Sequence, residues 1–386
     1  MRVLVTGGAG FIGSFVVERL VALGHEVRVL DSLDPQVHPA GRPAYLSPRA
    51  DFVPGDVRDP KRCDEAVDGV ETVIHAAAAV GVAQSLYRVE HFVDVNVKGT
   101  ATLLEAILRR RTPLRKLVVL ASMTGYGEGV YRRPSDGRLL RTGIRAEDQI
   151  RRWGWEPVCP ETGEPLVPVP TPEDAALLAR NVYALTKRYQ EELALSMGAV
   201  YGFPVVCLRL FNVYGPRQSL SNPYTGVLAI FLSRLLAGQR PVVYEDGRQT
   251  RDFVSVHDAV DAIVAAIDSP AADGQVLNIG SAVARPIGEL ARLLARLVGA
   301  GGIEPEITGQ FRAGDVRHCT ADIARARRLL GFAPRVAFEE GVAELVAWAR
   351  SAEHADRFGQ ADRELREHGL LAGARLDEPP PGGGRR

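Results

Sequence analysis

Residues Val3-Leu4-Val5-Thr6-Gly7-Gly8-Ala9-Gly10-Phe11-Ile12-Gly13 set a β-branched run, a glycine-rich turn and the start of a helical pattern in immediate succession. This order restricts the fold more than any other feature of the chain. A strand that passes straight into a helix belongs to a βαβ crossover, and therefore to a parallel sheet. Gly7 permits the tight turn, Gly10 lets the backbone approach a pyrophosphate, and Gly13 allows close packing of helix on strand. The spacing is one residue looser than G-x-G-x-x-G, but the physics is shared. Phosphates at such a turn meet the first amides of the helix, which brings Phe11 and Ile12 into the nucleotide site.

Asp31 ends the next β-branched run, Glu26–Asp31, about 20 residues past the glycines, where an acid bonds ribose hydroxyls. A 2′-phosphate there would meet a carboxylate, which favours NAD over NADP. The other reading of Asp31 is a loop cap.

The alternation continues. Strand patterns at Asp51–Pro54, Thr72–His75 and Lys116–Ala121 are interleaved with helical patterns at Pro60–Val67 and Phe92–Arg110. The segment from Glu128 to Arg180 breaks the rhythm and reads as an insertion, mostly loop. A helix at Tyr183–Tyr201 and a strand at Pro204–Leu210 resume it. Helices are expected near Val227–Ala237, His257–Asp268 and Ile287–Val298. The predicted architecture is α/β: a Rossmann-type doubly wound parallel sheet over residues 1–215, holding the insertion of about 128–180. A smaller, mainly substrate-binding lobe follows over 216–350, then a C-terminal helix at 351–371 and a disordered tail at 372–386.

Composition excludes some functions. The 47 basic and 47 acidic side chains cancel, so the basic excess of a nucleic-acid binder is missing. No apolar run approaches the roughly 20 residues that span a bilayer. The first strand begins at Arg2, which leaves no room for a signal peptide before it. Cys63, Cys159, Cys207 and Cys319 lie far apart, so free thiols in a reducing cytoplasm are expected. Cys159 has no second Cys or His nearby, and no metal site is expected.

Tyr183-Ala184-Leu185-Thr186-Lys187 puts Tyr and Lys on one helix face, four residues apart. It follows a nucleotide-binding half and a strand that runs into Ala121-Ser122. With these parts in order, the chain resembles the extended short-chain dehydrogenase/reductase family, specifically its nucleotide-sugar epimerases and dehydratases. The resemblance covers roughly residues 1–350 outside the insertion. Its motifs are TGGAGFIG, GDVRD at Gly55–Asp59, HAAA at His75–Ala78, NVKGT at Asn96–Thr100, YALTK, LRLFNVYGPRQ at Leu208–Gln218 and RDFVSVHD at Arg251–Asp258. WEPVCPETGEPL at Trp155–Leu166 and SNPYTG at Ser221–Gly226 are similar to a subgroup that contains dTDP-L-rhamnose 4-epimerase-like proteins.

The resemblance implies a catalytic set of Ser122, Tyr183 and Lys187, with bound NAD and a nucleotide-sugar substrate. Asp56 and Val57 would flank the adenine, Ala76, Ala77 and Ala78 would line the cofactor cleft, and Asn96 would lie near it. Phe211 would approach the nicotinamide, and Asn212 the sugar nucleotide. Arg251, Arg312 and Asp315 would hold the diphosphate and ribose, with Tyr244 beside the base. Lys187 would favour the Tyr183 phenolate, and Ser122 would relay the sugar proton. The family also implies a homodimer, through a four-helix interface.

The reaction type rests on Ser122-Met123-Thr124. A 4,6-dehydratase needs an acid and a base for elimination across C5 and C6. Met123 has no proton to give, and Thr124 is a poor base. The expectation is therefore C4 epimerisation, through a transient 4-keto sugar. A dehydratase, a decarboxylase, a 4-keto reductase and a non-catalytic NAD-binding scaffold stay as alternatives.

Overall fold

The structure, a computed structural model, describes residues 1–372 except 111, 144, 225, 313, 314, 353 and 354. Of the expected tail at 372–386, all but Ala372 lies outside the described residues, and Leu371, expected in the C-terminal helix, forms a short strand with Ala372.

The sequence alternation becomes β1 (Arg2–Thr6), α1 (Phe11–Ala22), β2 (Glu26–Asp31), β3 (Asp51–Pro54), α2 (Pro60–Val67) and β4 (Thr72–His75). Then come α3 (Gly99–Arg109), β5 (Lys116–Ser122), α4 (Val182–Tyr201) and β6 (Val205–Leu210). The second half holds α5 (Val227–Leu236), β7 (Thr250–Ser255), α6 (Val256–Asp268), β8 (Val276–Ile279), α7 (Ile287–Val298), α8 (Phe338–Ser351) and α9 (Phe358–Glu367). Seven parallel strands form one sheet in the order β8-β6-β5-β4-β1-β2-β3. This is the Rossmann arrangement. The reversal of strand order falls between β1 and β4, where a crevice opens at the strand ends.

Both faces of the sheet are covered, so its strands are apolar on both sides. Val16, Val17 and Leu20 of α1 and Ala259, Ile263 and Ala266 of α6 pack on one face. Ala66, Leu103, Ile107 and Ala194 from α2, α3 and α4 pack on the other. A separate cluster builds the lobe, where Leu290, Ala291 and Leu294 of α7 meet Leu228 and Leu232 of α5 and Val342 and Leu345 of α8.

Three features differ from the sequence reading. The chain does not leave the sheet for good at residue 215, because α6 and β8 return to it and β8 forms its edge. The helix expected from Phe92 is not uniform: a turn at Val89–Phe92 and a π-helical turn at Val93–Lys98 precede α3. Such π turns widen the hydrogen-bond step from four residues to five, and they recur at functional sites. The C-terminal stretch divides, with α8 ending at Ser351 and α9 starting at Phe358.

The insertion is more ordered than a loop. Val130–Arg132, Leu139–Leu140 and Val167–Val169 form a small antiparallel sheet, and Glu147–Trp153 is a helix. Its centre is ionic. Arg145 bonds Glu245 of the lobe at 2.7 Å, and both side chains are 3% exposed. The Arg317 guanidinium reaches Glu245 at 2.8 Å and Asp246 at 2.6 Å, and also bonds Glu156. Glu128 accepts from the amides of Arg317 and His318 at 2.9 and 2.8 Å, and from the Tyr131 hydroxyl at 2.6 Å. The insertion is thus keyed into the lobe by buried charge.

Breaking one member of a buried pair leaves an uncompensated charge, at a cost of about 3–5 kcal/mol. Arg145→Ala is expected to lower the urea midpoint accordingly, with insertion and lobe unfolding in one transition. A shift worth under ~1 kcal/mol, or a separate early transition, contradicts this account.

Candidate active site

A cleft of about 860 Å³ opens at the strand ends between sheet and lobe. Its size suits a ligand held by a few placed polar groups. All the residues expected to carry chemistry or binding line it, except Asn96.

At one end lies the glycine turn. Gly7 has φ +69°, and a Cβ there would stand 2.8 Å from the Ala77 backbone. A Cβ on Gly13 would fall 2.1 Å from the Gly7 carbonyl oxygen, so this contact admits glycine alone. At Gly10 the nearest atom to a Cβ is that same carbonyl, at 3.3 Å, and nothing else lies within 4 Å. The space beside Gly10 is therefore open to a ligand. The amides of Phe11, Ile12 and Gly13 begin α1 and have no carbonyl acceptor within their helix. Bare backbone, free amides and a positive helix end together fit a pyrophosphate.

Asp31 acts as the loop cap and also lines the cleft. Its carboxylate accepts from the Ala9 amide at 3.0 Å and from the Leu33 amide at 2.9 Å, bracing turn and loop, while the residue faces the cleft. Asp56 and Val57 also line this end. Burial pushes the Asp56 carboxyl up, but the Arg58 hydrogen bonds outweigh it, and the net shift is downward.

Asn96 stands apart. It is fully buried in the π turn, where its side chain accepts from the Ala79 amide at 2.7 Å. It also donates to the Ala79 carbonyl at 3.1 Å and to the Thr186 hydroxyl at 2.9 Å. These bonds consume the amide. Asn96 fixes the chain just past the Ala76–Ala78 wall and joins it to α4, rather than reaching into the cleft.

Ser122, Tyr183 and Lys187 come together where β5 ends and α4 begins. Asn181 caps α4 by accepting from the Ala184 amide at 2.8 Å, and the Tyr183 amide donates to Ser85 at 3.0 Å. The Ser122 hydroxyl bonds the Tyr183 phenol and accepts from the Thr124 hydroxyl at 3.0 Å. Burial pushes the pKa of the phenol up, and Ser122 is the group that pulls it back. The Lys187 ammonium, which also lines the cleft, donates one of its three N–H groups to Gln190 Oε1 at 2.6 Å. Burial draws that ammonium down from 10.5 to about 8.

Gln190 continues the chain below the cleft. Its Nε2 donates to the Thr100 hydroxyl at 2.8 Å and lies 3.1 Å from His75 Nε2. His75 Nε2 also lies 2.9 Å from the Thr100 hydroxyl, and its Nδ1 lies 2.7 Å from the Thr6 hydroxyl, so both ring nitrogens are hydrogen-bonded. Burial and the Lys187 charge hold His75 near 3, so it stays neutral. Gln190, Thr100, Thr6 and Ser85 were missed in the sequence. The His75 in HAAA and the Thr100 in NVKGT were the available signals.

At the far end Asp315 accepts from Arg251 at 3.0 Å and from Arg312 at 2.7 Å. Burial works to raise its carboxyl, but Arg312 and then Arg251 outweigh it and hold it near 2. Two guanidiniums against one carboxylate leave positive charge beside Tyr244, whose ring centroid lies 5.1 Å from the Arg312 guanidinium carbon. Phe211 and Asn212 line the middle, with the Asn212 amide donating to the Asp252 carbonyl at 2.9 Å.

Comparison with known proteins agrees with this geometry. The model of the NAD dependent epimerase/dehydratase family matches residues 3–144 and 160–280, passing over part of the insertion. The chain is 38% identical over 364 residues to dTDP-L-rhamnose 4-epimerase of Burkholderia thailandensis, covering 92% of this chain and 96% of that protein. Its fold is similar to that of UDP-glucose 4-epimerase from Thermotoga maritima, solved with UDP-glucose, with TM-score 0.74 and 29% identity over 91% and 99% of the two chains. It is equally similar to a dTDP-glucose 4,6-dehydratase of Streptomyces venezuelae solved with NAD, with TM-score 0.74 and 28% identity over 91% and 97%.

The lowered pKa of Lys187 has a measurable consequence. Between about 8 and 10.5 the unfolded chain keeps a proton on this amine that the folded chain has lost, so stability rises with pH across that window. In protein stripped of cofactor, the wild-type urea midpoint is expected to climb relative to Lys187→Met from pH 8 to 10.5. Parallel profiles contradict the burial of this amine.

Proposed function

We propose that this chain, which belongs to the NAD-dependent epimerase/dehydratase family, is a nucleotide-sugar 4-epimerase. Bound NAD supplies the means to take a hydride from the sugar C4 and return it. The side chains do the rest. Tyr183 removes the proton of the C4 hydroxyl, and Ser122 holds the same oxygen, itself oriented by Thr124. Burial makes the phenolate costly in the protein alone, so a cationic nicotinamide is the natural partner for that charge. The 4-keto sugar would then present its other face to the cofactor, and Tyr183 would give the proton back to the same oxygen. Arg251 and Arg312 hold the diphosphate while the sugar turns.

One observation carries epimerisation over dehydration. Among the described residues that line the cleft, the carboxylates are Asp31, Asp34, Asp56, Asp315 and Asp362. Asp31, Asp56 and Asp315 are engaged as described, Asp34 accepts from the Gln36 amide at 2.8 Å, and Asp362 pairs with Arg366 at 2.8 Å. None of them is at the Ser122-Met123-Thr124 corner. From the insertion only Arg180 lines the cleft, so it brings no substitute acid there. The similarity to dTDP-L-rhamnose 4-epimerase supports a deoxythymidine-diphosphate sugar as the substrate class.

We also read the protein as a cytoplasmic homodimer. Its four cysteines are buried free thiols, suited to a reducing compartment. Leu185, Tyr189 and Val200 form an exposed apolar stripe along α4, and exposed Val89 and Val93 lie on the segment packed beside it. A second copy covering this face buries both stripes.

Two measurements test these readings. With a panel of dTDP-, UDP- and GDP-sugars, NMR should detect the C4 epimer with no net NADH. Tyr183→Phe should keep its NAD and lose turnover by about 10²-fold or more. A 4-keto-6-deoxy product from a 6-hydroxylated substrate contradicts the assignment. Light scattering should give a dimer at micromolar concentration, and Leu185→Glu with Tyr189→Glu should give monomers; a monomeric wild type contradicts the interface.

A further inference from the structure

The α/β sheet and the lobe are complete at Ser351, where α8 ends. The chain nevertheless continues, and residues 355–372 cross the mouth of the cleft. A ten-residue helix such as α9 has little stability of its own, so its place depends on what it touches. Its contacts come from every side of the cleft. From the lobe, the Arg234 guanidinium lies 4.6 Å from the centre of the Phe358 ring, and Ser221 accepts from the Ala355 amide at 3.0 Å. From the nucleotide-binding half, the Tyr87 hydroxyl donates to Glu364 at 2.6 Å, and the His368 ring stacks on Tyr87 at 4.5 Å and 9°. The Tyr224 hydroxyl, from the loop that follows Ser221, donates to the same Glu364 oxygen. One carboxylate therefore joins three parts of the chain that are far apart in sequence.

The face that α9 turns inward has the character of a ligand wall. Phe358, Ala361, Leu365 and Leu370 line the cleft, and Ala361 and Leu365 are buried. Asp362 and Arg366 act electrostatically on the Tyr244 phenol, so this wall stands at the Tyr244 end. The chain then pairs Leu371–Ala372 antiparallel with Phe311–Arg312, the strand that presents Arg312. An aromatic ring, aliphatic side chains and a guanidinium at one end of a cleft suit a planar base followed by a phosphate.

We infer that α9 and the strand after it form a wall of the nucleotide subsite, latched by Glu364 to Tyr87 and Tyr224, and that this wall sets how tightly the nucleoside diphosphate part of the substrate is held. The inference rests on the nucleotide-sugar reading above. It adds the C-terminal segment to the binding site, which the family match, ending at residue 280, does not reach. Glu364 is a positioning residue here, because it acts through the helix it fastens.

The test uses full-length protein loaded with NAD, and dTDP and UDP as probes, by calorimetry. Glu364→Ala removes an acceptor from two phenols and is expected to weaken nucleotide binding about tenfold, with NAD content unchanged. A chain ending at residue 352 should lose more. Because that truncation can impair folding, hydrogen exchange supplies an independent reading on the wild type. Amides of residues 358–367 should slow when dTDP or UDP is added, beyond any effect of NAD. Equal nucleotide affinity in wild type and Glu364→Ala, or unchanged exchange in α9, overturns the wall alone. A wild type that binds neither nucleotide overturns the nucleotide-sugar reading and the wall with it.

Discussion

The chemistry of this protein depends on a buried chain of hydrogen bonds beneath the cleft floor. It runs from Lys187 to Gln190, from Gln190 to Thr100 and His75, and from His75 to Thr6 at the end of β1. Helix α4, which carries Tyr183, is thereby tied to the strand that feeds the glycine turn. An unpaired polar group in such a place costs several times what a made hydrogen bond contributes, so each member enforces the next. The neutrality of His75 is part of the device. A charged ring there would stand against the Lys187 ammonium that already lowers its pKa.

Charge is distributed along the cleft to match its two ends. The end proposed for the cofactor pyrophosphate offers backbone amides and a helix terminus. The far end uses Arg251 and Arg312, with Asp315 holding them apart and in place. Between them lies the weakly polar corner of Ser122, Met123 and Thr124. The insertion packs against the turn that follows this corner, with the Leu178 amide donating to the Tyr126 carbonyl at 3.4 Å. Its contribution is mechanical, because Arg145 bonds Glu245, in the turn between Tyr244 and the strand that carries Arg251, and Glu128 accepts from the amides of Arg317 and His318.

What the sequence disclosed follows from how local each determinant is. The glycine turn was legible because its constraint, a Cβ with nowhere to go at Gly7 and Gly13, acts within a few residues. Strand and helix limits in the first 120 residues agreed closely for the same reason, except over Phe92–Arg110. The insertion was not legible, since strands of two or three residues leave no periodicity and its buried arginines look like surface arginines until Glu245 and Glu156 are brought to them. The return of α6 and β8 to the sheet, the diversion of Asn96 to Ala79, and the upward shift of Tyr183 all depend on long-range neighbours. A C-terminal helix was readable near 351–371, but its seat across the cleft was not.

The central claim is that one carbon of the sugar loses and regains the same hydride in this cleft. A nucleotide sugar carrying deuterium at C4 tests it most directly. An epimerase lacking an acid–base pair at Met123 and Thr124 should yield the 4-epimer with deuterium still on C4. Deuterium found on C6, or lost to solvent, would contradict the account, because a label on C6 requires the elimination that these residues do not provide.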